Sequence, residues 1–309
     1  MRLNELLGIQ YPLIQGGMAN ISTGEFAAVI SNAGGLGLIA SGSMDGEALR
    51  AQIRSCRANT DKPFGVNLMM MNAHIDDLAQ VVIEEKVPVL TTGAGNPGKY
   101  ISMWKEAGIK VLPVAATVAL AKRLERNGAD AIIVEGTEAG GHVGDQTTMA
   151  LVPQIVDAVS IPVVAAGGIA SGRQVLAAFA LGACGVQVGT CLLVSEECPI
   201  HENYKNAVLK AGDTDTVVTG KISGGAPVRI IKNKMSREYI ARERAGAKPD
   251  ELEEYTLGSL RRAVFDGDIS TGSVMAGQVA GMCNEIKPAR EIIEQLFVDC
   301  ETALQSLQA

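Results

Sequence analysis

Eight short apolar runs, each ending in small or polar residues, recur along this chain, and their spacing limits the available folds more than any other feature. They begin at Tyr11 (YPLIQGGM), Gly35 (GLGLIAS), Phe64 (FGVNLMM), Val87 (VPVLTTGAG), Lys110 (KVLPVAA), Ala131 (AIIVEGTEAGG), Pro162 (PVVAAGGIAS) and Gly185 (GVQVGTCLL), with starts 24, 29, 23, 23, 21, 31 and 23 residues apart. Each interval has room for one helix, such as TVALAKRLERNGAD from Thr117, and little else. Continuous apolar strands are buried on both faces, as in parallel sheets. Eight of them in regular alternation with helices favour an α/β chain folded as a closed (β/α)8 TIM barrel over an open doubly wound sheet.

The rhythm breaks between about Ser195 and Gly277, where the sequence turns charged and helix-prone, and resumes in PAREIIEQLFVDCETALQSL as a final amphipathic helix. The expected organisation is therefore a barrel of residues 1–194 and 278–309, with 195–277 inserted after the eighth strand as a helical cap. Such an insertion sits over the C-terminal mouth, where barrels keep their chemistry.

Composition excludes several classes. The 27 basic and 34 acidic side chains give a net charge of −7, against a global nucleic-acid or anionic-membrane binder. The opening MRLNELLGIQYPLI lacks a signal peptide's apolar stretch and no later run reaches membrane-spanning length, so a soluble cytoplasmic protein is expected. Six cysteines form no CxxC pairs, and Cys184, Cys191 and Cys198 are spaced seven apart, so reduced buried thiols are expected and no metal.

Gly93-Ala-Gly95-Asn-Pro-Gly98 matches a dinucleotide-binding GxGxxG. The following strand, VLPVAA, ends without the acidic residue that would hold a ribose, and Asn96-Pro97 is turn chemistry, so the motif reads as a plain strand-to-helix turn. A better anion site lies after the seventh and eighth runs, at Gly167-Gly168 and Gly189-Thr190. Glycine there lets backbone N–H groups approach a phosphate closely, and the Thr190 hydroxyl adds a donor. A phosphorylated substrate and FMN would fit equally well.

The sixth run continues into Glu135-Gly-Thr-Glu-Ala-Gly-Gly-His142-Val-Gly144, with four glycines in ten residues. That many glycines disfavour an ordinary helix start unless the backbone must pass close to a ligand. An imidazole at this place could exchange a proton near neutrality or polarise a carbonyl, which makes His142 the candidate catalytic group. His74 and His201 read as surface or cap residues, and Cys191 as a buried thiol.

With these loops in view the chain resembles the FMN-dependent enoyl-acyl-carrier-protein reductases of the second type, related to the nitronate monooxygenases of the 2-nitropropane dioxygenase-like superfamily. The resemblance runs nearly end to end, through YPLIQGGMA, FGVNL, GAGNPGKY, EGTEAGGHVG, LVPQIVDAVSIPVVAAGGIASG, GVQVGT, GGAPVRIIKNK and GSVMAGQVAGM. It implies FMN in the barrel mouth, its phosphate on Gly167, Gly168, Gly189 and Thr190, and its ring and ribityl chain lined by Gly17, Met18, Asn67, Glu135, Gly140 and Gly141. Met275 and Gln278 are further candidates to reach the ring. The family's catalytic histidine falls on His142.

The implied cycle has two halves: NADH or NADPH reduces the flavin and leaves, then a trans-2-enoyl thioester enters the same pocket and receives hydride at its β-carbon. His142 would stabilise charge on the thioester carbonyl or supply the α-carbon proton. The resemblance also implies stimulation by a monovalent cation, for which no ligand cluster is evident, and a homodimer is expected. Between Arg229 and Lys248 stand Arg229, Lys232, Lys234, Arg237, Arg242, Arg244 and Lys248 against Glu238 and Glu243, a local +5 suited to docking an acidic acyl carrier protein. The alternatives are a nitronate monooxygenase using FMN and oxygen, a noncatalytic flavin sensor, and an isomerase of a phosphorylated sugar.

Overall fold

A computed structural model describes residues 2–308. Eight parallel strands form one sheet: β1 (Leu13–Gln15), β2 (Gly37–Ala40), β3 (Phe64–Met69), β4 (Val89–Gly93), β5 (Lys110–Ala115), β6 (Ile132–Glu135), β8 (Val163–Ala166) and β9 (Gly185–Val188), with a two-residue strand β7 (Gly141–His142) outside it. Their order is β1-β9-β8-β6-β5-β4-β3-β2, and a parallel bridge from Ile14 to Leu36 joins the first strand to the last. The chain is a (β/α)8 barrel, and all eight runs supply its staves.

The barrel interior follows from strand alternation. Ile14, Leu38, Val89, Leu112, Ile133 and Val164 point inward into one apolar cluster, and Leu3 and Leu7 of the helix Leu3–Leu7 fill it from below. On the outer face, residues of opposite parity such as Val66, Leu90, Val111 and Ile132 pack against the surrounding helices. Several helices start on side-chain caps: Thr23 accepts from Phe26 N–H, Asp45 from Ala48, Thr117 from Leu120 and Ser171 from Gln174. The expected final helix, Ala289–Gln308, closes the ring against the helices Gly172–Ala180 and Gly24–Asn32, and Phe297 stacks on Tyr11 with ring centroids 4.9 Å apart.

The excursion between β9 and this last helix is not purely helical. Besides helices Glu202–Leu209, Lys234–Arg244 and Pro249–Thr256 it holds β10 (Thr216–Thr219) and β11 (Val228–Ile231), which pair antiparallel. It has its own apolar centre of Ile230, Met235, Tyr239 and Leu252. The free edge of β11 pairs antiparallel with β7, placing Val228 opposite His142 and Arg229 opposite Gly141.

Candidate active site

At the C-terminal ends of the strands lies a cavity of about 610 Å³ whose wall includes Gly17, Met18, Asn67, Glu135, Gly140, Gly141, His142, Gly167, Gly168, Gly189 and Thr190. The eleven residues singled out from sequence thus converge on one mouth. Met275 joins them. Gln278 is exposed and absent from the wall, its backbone N–H donating to the Glu138 carbonyl at 2.9 Å. The GxGxxG segment contributes Gly93, Ala94 and Gly95 as a turn between β4 and the helix Gly98–Glu106, with the Asn96 carboxamide accepting from Gly98 N–H at 3.0 Å.

The wall after β8 and β9 is built of backbone. Gly167 and Gly168 have φ of +91° and +74°, the left-handed region, and a Cβ on Gly167 would stand 2.8 Å from the Gly136 carbonyl oxygen. Only glycine fits that path without strain. Among the described residues, the N–H groups of Gly168, Gly189 and Thr190 have no hydrogen-bond acceptor, while that of Gly167 faces Gln187 along the β8–β9 ladder. The Thr190 hydroxyl accepts from Gly277 N–H at 2.9 Å, leaving its proton to donate. Three unpaired amides beside one hydroxyl suit an anionic oxygen cluster and therefore fit the phosphate end of FMN.

The opposite wall is amide and thioether. Asn67 donates to Thr91 Oγ1 at 2.9 Å, which turns its amide oxygen toward the space beside Gly17. A Cβ on Gly17 would lie 2.5 Å from Asn67 Cγ, so any side chain there would displace the amide. Strand alternation also brings in Gln187, buried and two residues before Gly189. Sequence reading quoted it within a motif but did not select it; the signal was a carboxamide at an inward position of an otherwise apolar strand.

Glu135 and His142 are the titratable side chains on this wall. Burial pushes the Glu135 carboxyl up to about 7, because no cation or donor among the described residues compensates for lost water. Burial also lowers the His142 pKa, which favours a neutral imidazole at neutral pH. The histidine loop is held from both ends. Glu138 accepts from Thr148 N–H and from Thr148 Oγ1 at 2.9 Å, anchoring the loop to the start of the helix Thr148–Val156. Beyond it, the β7–β11 pairing and a Val143 N–H to Pro227 carbonyl bond of 3.1 Å fix the backbone of His142.

The remaining candidates are structural. His74 and His201 are exposed and precede helices, and His201 Nδ1 accepts from Asn203 N–H at 3.0 Å. Cys191 is buried among apolar neighbours, which raises its thiol pKa and leaves it unreactive. All six cysteines are free, and no metal-ligating cluster occurs among the described residues. No helix is long and apolar enough to cross a membrane among them. In the basic segment, Arg229 is buried. Lys232, Lys234, Arg237, Arg242, Arg244 and Lys248 are exposed. Glu243 is buried too, accepting from Ile222 and Ser223 N–H, so the surface there is six cations against Glu238.

The family model for nitronate monooxygenase matches residues 1–299. The structure of FabK from Thermotoga maritima is 49% identical, covering 99% of this chain and 97% of that one, with a TM-score of 0.96. A (3aS,4S,5R,7aS)-5-hydroxy-7a-methyl-1-oxo-octahydro-1H-indene-4-carboxyl-CoA dehydrogenase of Mycobacterium tuberculosis is 33% identical over 99% of this chain and 98% of its own. A probable nitronate monooxygenase of Staphylococcus aureus is 35% identical over 98% of each. Barrel, glycine cradle and histidine loop thus agree with matches along nearly the whole sequence: the chain belongs to the nitronate monooxygenase family of FMN-dependent oxidoreductases.

Proposed function

We propose that this chain is an enoyl-acyl-carrier-protein reductase, serving fatty acid synthesis in the cytoplasm, that passes hydride from NADH or NADPH to the β-carbon of a trans-2-enoyl thioester. The observation that carries this reading is the 49% identity with FabK, well above the 35% shared with the probable nitronate monooxygenase. The carboxyl-CoA dehydrogenase among the relatives adds an acyl thioester to the substrates named in this family.

FMN, when bound, supplies a centre that accepts hydride from one substrate and yields it to the next. Gly167, Gly168, Gly189 and Thr190 would bind its phosphate, the last three through backbone N–H groups, while Gly17, Met18, Asn67, Glu135, Gly140 and Gly141 line the ring and ribityl chain. His142, neutral at working pH, donates an N–H hydrogen bond to the thioester oxygen and stabilises the negative charge that develops there. Its exposed edge connects the cavity with water, the ultimate source of the proton that the α-carbon needs. Residues 195–277 act as the cap, and the six exposed cations between Lys232 and Lys248 steer the acidic carrier protein to the mouth.

The visible spectrum tests this. Anaerobic NADH or NADPH should bleach the flavin bands, and crotonyl thioester should restore them. A flavin that NAD(P)H leaves untouched, but that turns over nitronate with oxygen, identifies a monooxygenase instead. Charge reversal at Arg237 and Arg242 should slow turnover of the carrier-linked substrate at low salt and spare a carrier-free thioester.

A further inference from the structure

Beside the main cavity lies a second hollow of about 410 Å³, between the loops that follow β1, β2 and β3. Both spaces are lined by Ala19, Gly42, Met69 and Met71, so the hollow continues the main cavity outward. Of its polar side chains, Asn72 is engaged by its own loops. Asn72 donates to the carbonyls of Gly42 at 2.8 Å and Met44 at 3.0 Å, and accepts from His74 N–H at 2.7 Å. Beside Asn20, Ser43 and His74, the lining open to a ligand is hydrocarbon and thioether from Ala19, Ala73, Met69 and Met71, the last 73% exposed.

Charge separates the possible occupants. No lysine or arginine lines either space. At the outer end His74 precedes the helix Ile75–Glu84, whose first turn carries Asp76 and Asp77, and Asp45 caps the neighbouring helix Gly46–Asn59. Asp76 is paired with Lys99 at 3.0 Å, so what disfavours a pyrophosphate or a phosphopantetheine phosphate here is the lack of any lysine or arginine in the lining, to which a neutral chain is indifferent. Exposed cations suited to anionic groups stand on the helix Lys234–Arg244, on another element. Methionine adapts its shape to apolar ligands of differing length, which suits a site that must accept a growing chain.

We propose that this groove receives the hydrocarbon tail of the enoyl thioester, beyond the reacting carbons, and sets chain-length preference. The proposal rests on the enoyl reductase reading and adds the direction in which the substrate lies: reacting end under His142, tail out between the β1 and β3 loops.

Ala73 and Ser43 line the groove and not the main cavity, so Ala73→Trp and Ser43→Trp fill it at its rim. With N-acetylcysteamine thioesters, which carry neither nucleotide nor carrier protein, kcat/KM of the unsubstituted enzyme should climb from four-carbon to twelve-carbon enoyl chains. The gain should approach about threefold to fourfold for each methylene that enters the groove. In both variants crotonyl turnover should stay within twofold, while the advantage of the long chain falls at least tenfold. Calorimetry with saturated butanoyl and dodecanoyl thioesters reads the same preference without turnover. If crotonyl thioester is not reduced at all, the reductase reading fails, and calorimetry still decides whether the groove holds an alkyl chain. A long-chain preference that survives both tryptophans, a wild-type enzyme indifferent to length, or variants that raise KM for NAD(P)H alone would each overturn the proposal.

Discussion

The Arg229 guanidinium donates from Nε to the carbonyl of Thr137 at 3.0 Å, across a sequence separation of 92 residues. Its Nη1 reaches Thr216 Oγ1 at 3.0 Å, and its backbone pairs with Gly141. One buried side chain thereby ties β10, β11 and the histidine loop together, with no carboxylate within ion-pair distance among the described residues. Replacing Arg229 by Gln should destabilise the protein by about 2 kcal/mol, the loss expected for hydrogen bonds from a charged donor. It should also lower turnover by displacing His142. Lysine should not rescue it, because a single ammonium cannot make both bonds at that angle. Thermal unfolding and steady-state kinetics on the two variants check this.

Removing the imidazole tests chemistry apart from binding. His142→Ala should reduce enoyl turnover about 10²- to 10³-fold, the range for loss of one hydrogen-bond donor to a developing oxyanion. Flavin content, measured by absorbance, should be unchanged. Loss of flavin along with activity would mean that His142 holds the cofactor pocket together instead.

Glu135 predicts a pH dependence of stability. Its folded pKa of about 7 lies above the ordinary carboxyl value of 4.5, so between these values the folded protein keeps a proton that the unfolded chain releases. The flavin-free protein should therefore lose stability as pH rises through that window, by about 3 kcal/mol once above it. His142 acts with the opposite sign: its lowered pKa makes the fold lose stability as pH falls below the ordinary imidazole value. Denaturant unfolding of Glu135→Gln between pH 5 and 8 isolates the carboxyl. The variant should match the parent at pH 5 and exceed it at pH 8.

The backbone cradle predicts a binding defect without a charge change. Gly167→Ala forces a left-handed alanine against the Gly136 carbonyl, a strain of about 1–3 kcal/mol. If the loop shifts to relieve it, the unpaired amide of Gly168 moves with it, and FMN affinity should fall about tenfold or more. Quenching of flavin fluorescence on titration into apoprotein measures this.

The barrel was legible because its signal is local and repeated: GLGLIAS and FGVNLMM contain strands β2 and β3 in full, and the intervals leave space only for helices. The glycine loops could be assigned to one mouth once the strands were known to be parallel, since parallel strands place their C-terminal ends together. The β7–β11 pairing was not legible. β7 is two residues long, and the partner of His142 lies 86 residues beyond it at Val228, with no turn between them to announce a hairpin. The same gap explains Arg229, which sequence reading counted with the basic segment that runs to Lys248, whose other six cations are exposed. Its burial depends on Thr137 and Thr216, which only the folded chain brings near.

Leu3 and Leu7 stopper the lower end of the barrel, so the chamber has a single threshold. Reagents cannot pass through it from one side to the other. On the proposed reductase cycle, a spent nucleotide must back out by the route along which it came before an acyl chain can approach. The architecture thus imposes alternation on any pair of bulky reactants, and a gap opened beneath the strands would admit water to the site without giving either of them a second exit.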